Sequence, residues 1–523
     1  MRYRGIRSEL GWLLSELRQT LRRHPLLLPA LAFILGIYYA PYLDPMRGVG
    51  VGFVLLSLSQ LAHFIQRGGV YLPSWLARLG GLVLVLSLAV LLVRAYERRH
   101  RIAEGDLPTE ARALVLTSAE RIPSGYSLEV ELLTSEVRGH HLVFYTRGLP
   151  SVGLGDTLEL SRLRPIHFEG EERWRTSRLS RGISGSVFGL VEGSRPLKGW
   201  GRLLTRPRLV GRLLQQRLSE RLGRLLPEGQ ATHLSRAVAL GYMPRGRESR
   251  ELRESFVSSG VAHILAVSGF HLGVVAALLL SLLGLVRWMD ARPRLRALVL
   301  LVGVWGFTLI SGWAVPTVRA ALMLSLYLAG ALLGRPARLP NVLALSALVQ
   351  LVDNPFLVNQ PSFTLSYAAL LSIYLLYRPL VGCVGELYNP LVRFLWRGLC
   401  LALSAQALVL PLCLYYWGSS ALSFVWASLP MSLFVGVLIP LVWLLLGLSA
   451  LPLPLQPLTG LVDGLSEVML EVSRFLGDLP YTHLQVGLTG VQTSALWLLL
   501  LFSAWVLRRY YSLWGRNLAY YSY

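Results

Sequence analysis

Long apolar runs dominate this chain and decide what it can fold into. PLLLPALAFILGIYYA, GLVLVLSLAVLLV, ALVLLVGVWGFTLI, LMLSLYLAGALLG and LWLLLLFSAWVL are apolar from end to end. A helix needs about 20 mostly apolar residues to cross a bilayer, and the sequence offers roughly ten to eleven such segments. Only 15% of the 523 residues are charged, against about 25% in soluble domains. The fold class expected is therefore a polytopic α-helical membrane protein.

Charge then orients the segments. The formal net charge is +22, and Lys198 is the only lysine, so arginine carries it. Arg2, Arg4, Arg7, Arg18, Arg22 and Arg23 precede the first apolar run, which predicts a cytoplasmic N-terminus by the positive-inside rule. That leader has no small-x-small cleavage site, so the run reads as a retained span. Three spans, near 25–43, 49–66 and 79–95, then put residue 96 outside. Arg287, Arg292, Arg294 and Arg296, the pair Arg335 and Arg338, and Arg508 with Arg509 mark further inside loops. Cys383, Cys400 and Cys413 fall in or beside apolar segments, so no disulfide framework is expected.

Four regions result. Residues 1–96 form an N-terminal three-span region. Residues 97–192 carry 13 basic against 14 acidic residues and read as β. ARALVLTS, YSLEVELLTSEV, HHLVFYT and DTLELSRL alternate and are separated by turns, which predicts an inserted small β-barrel, OB-like, on the outer side. WRTSRLSRGISGSVF reads as a helix and turn leading into a last strand. Residues 193–257 carry 14 basic against 5 acidic residues and read as amphipathic helices. Two readings stand for them: interfacial helices whose arginines meet anionic headgroups, or an Arg-lined mouth for a polyanion formed by Arg212, Arg217, Arg221, Arg224, Arg245 and Arg247. Residues 258–523 form the main membrane domain. Its span 421–450 is expected as two short pieces around Pro430 and Pro440. Segment 457–485 reads as an amphipathic helix lying along the surface.

Polar residues at membrane depth cost free energy and point to function. His263, Ser268 and His271 interrupt HILAVSGFHLG; Arg319 lies in WAVPTVRAALML; Asn354, Gln360 and Ser366 lie in NPFLVNQPSFTLSY, beside Asp353 and Ser362; Gln406 lies in LCLALSAQALVLP. Ser268 and His271 sit three apart, but no nearby acid orients the histidine and no Gly-x-Ser-x-Gly surrounds the serine, so no enzyme is expected. The histidines have no spacing that suits a metal, and no cofactor is expected. Two readings remain. Ser, His and the pair Gly269 and Gly273 could lock a close helix crossing. Alternatively, Gly260 and Gly269 break the helix and expose a polar path, since non-helical backbone at membrane depth lines cavities. Arg319 either snorkels to the outer interface or contacts a phosphate.

The stretch SFVSSGVAHILAVSGFHLGVV resembles the signature of the ComEC family of competence DNA-uptake channels, through Phe256, Gly260, His263, Ile264, Leu265, Ala266, Ser268, Gly269 and His271. AVALGY, PTVRAALM (Pro316, Arg319, Ala320, Met323), NPFLVNQPSFTLSY (Asn354, Pro355, Phe363, Leu365, Ser366) and QALVLP (Gln406, Pro411) are similar to further family segments. The 97–192 insert resembles the family's OB-like domain, including Gly155–Asp156 and Gly182–Ile183. Tyr242 stands where the family usually has an acid, and SFVWASLPMSLF has no counterpart of a family asparagine. No H-x-H-x-D-H occurs, so the resemblance is to a variant without the metallo-β-lactamase-like domain.

The resemblance implies transport of single-stranded DNA across the inner membrane during natural transformation, by a multi-pass protein in contact with membrane lipid. A DNA receptor, a nuclease, and a cytoplasmic motor or ssDNA-binding protein would act in trans, the more so because no P-loop appears. The alternatives are a transporter or flippase for another anionic solute, or a membrane scaffold. Under the channel reading His263, Ser268, Gly269, His271, Arg319, Asn354, Gln360, Ser366 and Gln406 converge on one path. Any DNA contact by the barrel would use a local face and aromatics such as Tyr126 and Tyr145.

Overall fold

A computed structural model describes residues 23–65, 75–102, 104–134, 137–150, 152–166, 171–196, 206–244, 246–286, 292–335, 337–385, 387–479 and 483–520. Helices α1 (Leu27–Tyr38), α2 (Pro45–Ile65) and α3 (Trp75–His100) come first. Strands β1 (Glu110–Val115), β2 (Glu120–Ile122), β3 (Gly125–Leu132), β4 (His141–Thr146) and β5 (Thr157–Pro165) follow, then α4 (Glu171–Ser180) and β6 (Gly185–Arg195). Next are α5 (Pro207–Leu225), α6 (Gln230–Leu240) and α7 (Arg247–Ser258), a 3-10 turn at Ala262–Ile264, α8 (Gly269–Gly284), α9 (Pro293–Ile310) and α10 (Val315–Leu332). After α11 (Leu339–Asp353) and a 3-10 turn at Pro355–Asn359 come α12 (Pro361–Gly382), α13 (Pro390–Ala407) and α14 (Val409–Trp417). Strand β7 (Ser419–Ala421), α15 (Phe424–Leu448), α16 (Gln456–Gly477), strand β8 (His483–Gln485) and α17 (Gly490–Tyr520) complete the chain. Proline opens α5, α9, α11, α13 and α16, where its missing N–H is no loss and its fixed φ favours the first turn.

Among the described residues six helices are long and apolar enough to cross a membrane: most of α3, all of α9, α10, α12 and α15, and Gly490–Leu507 of α17. Helices α13 and α14 make a seventh span if taken together, bent by 48°. Part of α2, with α1, α8 and α11, forms a shorter apolar set. The expected break of 421–450 does not occur. α15 runs unbroken through Pro430 and Pro440, as apolar bundles allow when neighbours satisfy the freed carbonyls. α16 is more than a surface helix: Val462, Ser466, Met469, Leu470, Ser473 and Leu476 are buried, against α6, α7 and α15.

Two compact units emerge, and they do not follow chain order. Residues 1–198 and 326–360 form the first; residues 199–325 and 361–523 form the second. In the first unit α1 and α2 pack on α3. The sheet order is β1-β5-β6-β4-β3-β2, and β1 also pairs with β3, which closes a barrel. Among the described strands only β4 and β6 run parallel. Alternate residues face inward: Leu128, Val130, Leu132, Leu142, Phe144, Leu158, Leu160 and Val187 form its core. Helix α4 enters between the last two strands, as the sequence predicted. Tyr126 lies opposite Thr146 and Tyr145 opposite Ser127, so the two tyrosines point to opposite faces of the sheet. They cannot make one stacking platform. The outer face of β3 and β4 instead pairs Glu129 with Val143 and Glu131 with His141.

The second unit is built on α15. Ala427, Met431, Val435, Leu438, Ile439, Val442 and Leu445 are fully buried on it, in contact with α6, α8, α13 and α16. Serine pairs fasten α16 to its neighbours: Ser235 to Ser466 at 2.8 Å and Ser259 to Ser473 at 2.9 Å. Gln215 of α5 is buried and donates to the Leu240 carbonyl at 2.8 Å.

One titration in the barrel has a defined sign. His140 Nδ1 is 2.9 Å from Ser184 Oγ. Burial lowers its pKa from the usual 6.5, and the nearby His100 and Arg99 lower it further. The unfolded chain therefore takes up this proton first, and the folded state loses stability as pH falls below about 6.5. Melting of the full chain between about pH 7.5 and 5.5 should show this loss, and His140→Gln should flatten it.

Candidate functional site

The segment HILAVSGFHLG is broken where its glycines predicted. α7 ends at Ser258, and Gly260 takes φ +75°. A Cβ at Gly260 would lie 2.9 Å from the Phe424 backbone nitrogen and 3.2 Å from the Ala421 carbonyl oxygen. Glycine is thus required for both its conformation and its packing. After one 3-10 turn the chain stays non-helical to Ser268, which is extended and opens α8. His263 and His271 therefore do not share a continuous helix.

Ser268 and His271 close this helix start. His271 Nδ1 accepts the Ser268 N–H at 3.3 Å and lies 3.0 Å from Ser268 Oγ. With Nδ1 an acceptor, the ring proton of the neutral form sits on Nε2, which is buried against the Ile264 backbone. His263 is exposed. Ala266, Gly269 and Phe270 are accessible beside it. The close-crossing reading of Gly269 and Gly273 fails. A Cβ at Gly269 would make ordinary contact with Ala320 at 3.5 Å, and one at Gly273 would meet nothing within 4 Å.

Arg319 does not snorkel. It lies in the second turn of α10 and is 1% exposed. Its Nη2 donates to the Ser362 carbonyl at 2.6 Å and to Ser366 Oγ at 2.7 Å. The Phe363 ring lies 6.0 Å from the guanidinium carbon. Nε and Nη1 are buried without partners, and no carboxylate pairs with the group among the described residues. Two neutral oxygens thus hold a buried cation. No carboxylate among the described residues offsets its burial by charge.

The remaining polar residues divide. Asn354 and Gln360 belong to the first unit, and their amides face α4. Asn354 Nδ2 donates to the carbonyls of Leu179 and Ser180, both at 3.0 Å; Gln360 Nε2 donates to the Ser180 carbonyl at 2.8 Å. These bonds commit both amides to α4. Gln406 is half-buried just before the α13–α14 bend, and its side chain has no partner among the described residues. The bend is held by Leu408, whose N–H donates to Ser372 Oγ at 3.3 Å and whose carbonyl accepts from Trp497 at 3.1 Å.

Of the expected arginines, Arg217, Arg221 and Arg224 are exposed on α5 at helical spacing, and Arg212 is half-buried. Arg247 is exposed and bonded to Glu251 at 2.7 Å, which reduces its call on an anion. Arg245 lies outside the described residues. One cation was not foreseen. Arg236 of α6 lays its guanidinium against α5 at Gly223, where a Cβ would overlap Nη2. Its Nε is buried and unpartnered among the described residues. Nothing in the sequence pairs Gly223 with Arg236.

A family described as "Competence protein" matches residues 241–510. ComE operon protein 3 of Bacillus subtilis (strain 168) is 29% identical over 193 residues, covering 37% of this chain and 23% of that protein. Competence protein ComA of Neisseria gonorrhoeae is 29% identical over 366 residues, covering 63% of this chain and 48% of that protein. The chain thus spans less than half the length of either relative. No solved structure matches it.

The break makes a paired prediction. Gly260→Ala should destabilise the detergent-solubilised protein by about 1–2 kcal/mol from the left-handed φ alone, with more from the clash. Gly273→Ala should be neutral or slightly stabilising. Equal melting temperatures for the two variants would contradict this account of the turn.

Proposed function

We propose that this chain, which belongs to the competence protein family, passes one strand of DNA through the inner membrane during natural transformation. Membership gives it a role in competence and DNA uptake, and its apolar helices make it a multi-pass membrane protein of that system. In this reading the N-terminus is cytoplasmic and the barrel lies outside.

The observation that carries the finer reading is Arg319. A buried guanidinium with two nitrogens unpartnered among the described residues and only neutral acceptors holds unused donors for an anion, and because it is 1% exposed this reading requires the enclosing helices to part as the strand enters. A phosphodiester is a stronger acceptor than a carbonyl or hydroxyl, because charge-assisted hydrogen bonds are roughly twice as strong as neutral ones. Transport also requires that binding be weak enough to leave. A single arginine, with His263 and Ser268 beside the broken helix, suits passage better than a cluster of cations would. Arg217, Arg221 and Arg224 on the open face of α5 would gather phosphates before they reach it. A receptor and a nuclease would deliver the strand, and a cytoplasmic motor or ssDNA-binding protein would draw it in.

The test is uptake of labelled DNA into a nuclease-protected form, in a competent host whose own copy is replaced by this chain. Arg319→Gln should lower uptake by about tenfold or more at unchanged protein level. Arg319→Lys should retain part of it, since charge persists but the planar fork is lost. Parental uptake by Arg319→Gln would sink the reading. Normal DNA uptake with loss of another anionic solute would favour the transporter alternative, and loss of the protein itself would show a packing role.

A further inference from the structure

The C-terminus of α4 has its carbonyls captured from three directions. Gly182, at φ +74°, lets the chain turn back, so that the Gly182 N–H donates to the Leu179 carbonyl and the Ile183 N–H to the Arg178 carbonyl, each at 2.9 Å. That local cap leaves the Ser180 carbonyl and part of the Leu179 carbonyl for outside donors. Tyr96 of α3 donates its hydroxyl to the Leu179 carbonyl at 3.2 Å. Asn354 donates to both Leu179 and Ser180, and Gln360 to Ser180 through its carbonyl and, at 3.3 Å, its hydroxyl. These donors come from membrane helices and their connections; the acceptors belong to the barrel's own helix.

The donors are themselves fixed. Asn354 caps the 3-10 turn, its Oδ1 accepting the Phe356 N–H at 2.9 Å. Its carbonyl oxygen thus holds its own loop while its amide nitrogen reaches the barrel. Tyr96 stacks on His100 at 4.0 Å and tilts onto Phe356 at 5.8 Å. Asn354 and Leu179 are buried, so water does not compete well for these bonds. A helix C-terminus carries partial negative charge, which neutral amide donors match without placing a charge in the contact.

We infer that Asn354, Gln360 and Tyr96 form a clasp that holds the barrel by the end of α4 and makes it a stationary collar on the helices of the first unit. The two amides are then positioning residues that touch no cargo. This goes beyond the proposed transport role, since the clasp would serve any cargo.

Asn354→Asp is the selective variant. The carboxylate keeps the acceptor for the Phe356 N–H, loses the donors, and sets negative charge against two carbonyls. Transport should fall by about tenfold or more, and hydrogen exchange in α4 should rise while exchange at Phe356 changes little. Cysteines at Ser180→Cys and Gln360→Cys, in a background lacking the native cysteines and joined by a short bismaleimide in intact cells, should restore transport to Asn354→Asp. Bridging with no rescue would overturn the clasp, because a cargo contact cannot be replaced by a tether. Failure of the two cysteines to bridge, or unchanged exchange in α4, would overturn it equally. Loss of uptake in Arg319→Gln with an intact bridge leaves the clasp standing, so the two readings fail separately.

Discussion

A cation enclosed without a counter-ion is the constraint on which the second unit turns. Arg319 is held by one backbone carbonyl and one hydroxyl, and Ser366 Oγ itself donates to the same Ser362 carbonyl at 2.9 Å. The group is satisfied on one nitrogen and bare on two. Natural chains rarely leave a buried charge in that state unless a partner completes it. A purely structural arginine would be expected to meet a carboxylate or several carbonyls. This one sits where α10 begins, with Ala320 beside the start of α8, so it is near the segment in which the helix is broken.

The break solves a backbone problem. Residues 259–268 leave the helix beside apolar elements, and their polar groups need partners. Some bonds are local, such as the Val261 N–H to the Phe256 carbonyl at 3.0 Å. Others come from side chains, as when His271 receives the Ser268 N–H and Ser423 donates to the Ser258 carbonyl at 3.3 Å. The histidine of the signature is therefore a cap first.

The sequence was most legible where physics is local. Alternation gave the barrel strands and Gly260 gave the break, because each depends on neighbouring residues only; apolar length overcounted the spans, since against roughly ten to eleven expected six helices among the described residues, or seven with the bent pair, are long and apolar enough to cross. It failed where meaning depends on distant contacts. Asn354 and Gln360 read as polar groups at membrane depth, but their partners lie 174 to 180 residues upstream on α4, beyond any periodicity. Gly269 and Gly273 matched a close-packing pattern, yet no helix approaches Gly273. Pro430 and Pro440 read as breaks by soluble-helix rules that do not bind inside an apolar bundle. Tyr126 and Tyr145 looked like a pair until strand register set them on opposite faces.

The two units thus divide the polar residues between them: one set clasps a soluble domain, and the other lines a break beside a bare arginine. Whether that break carries DNA is decided most directly by capture. A photo-reactive benzoylphenylalanine placed at His263 or at Phe270, which is 46% exposed, should crosslink an incoming labelled single strand in competent cells. The same probe at Leu498, 69% exposed on apolar α17, should meet lipid and capture none. Silence at 263 and 270, or capture at 498 equal to theirs, would contradict the account.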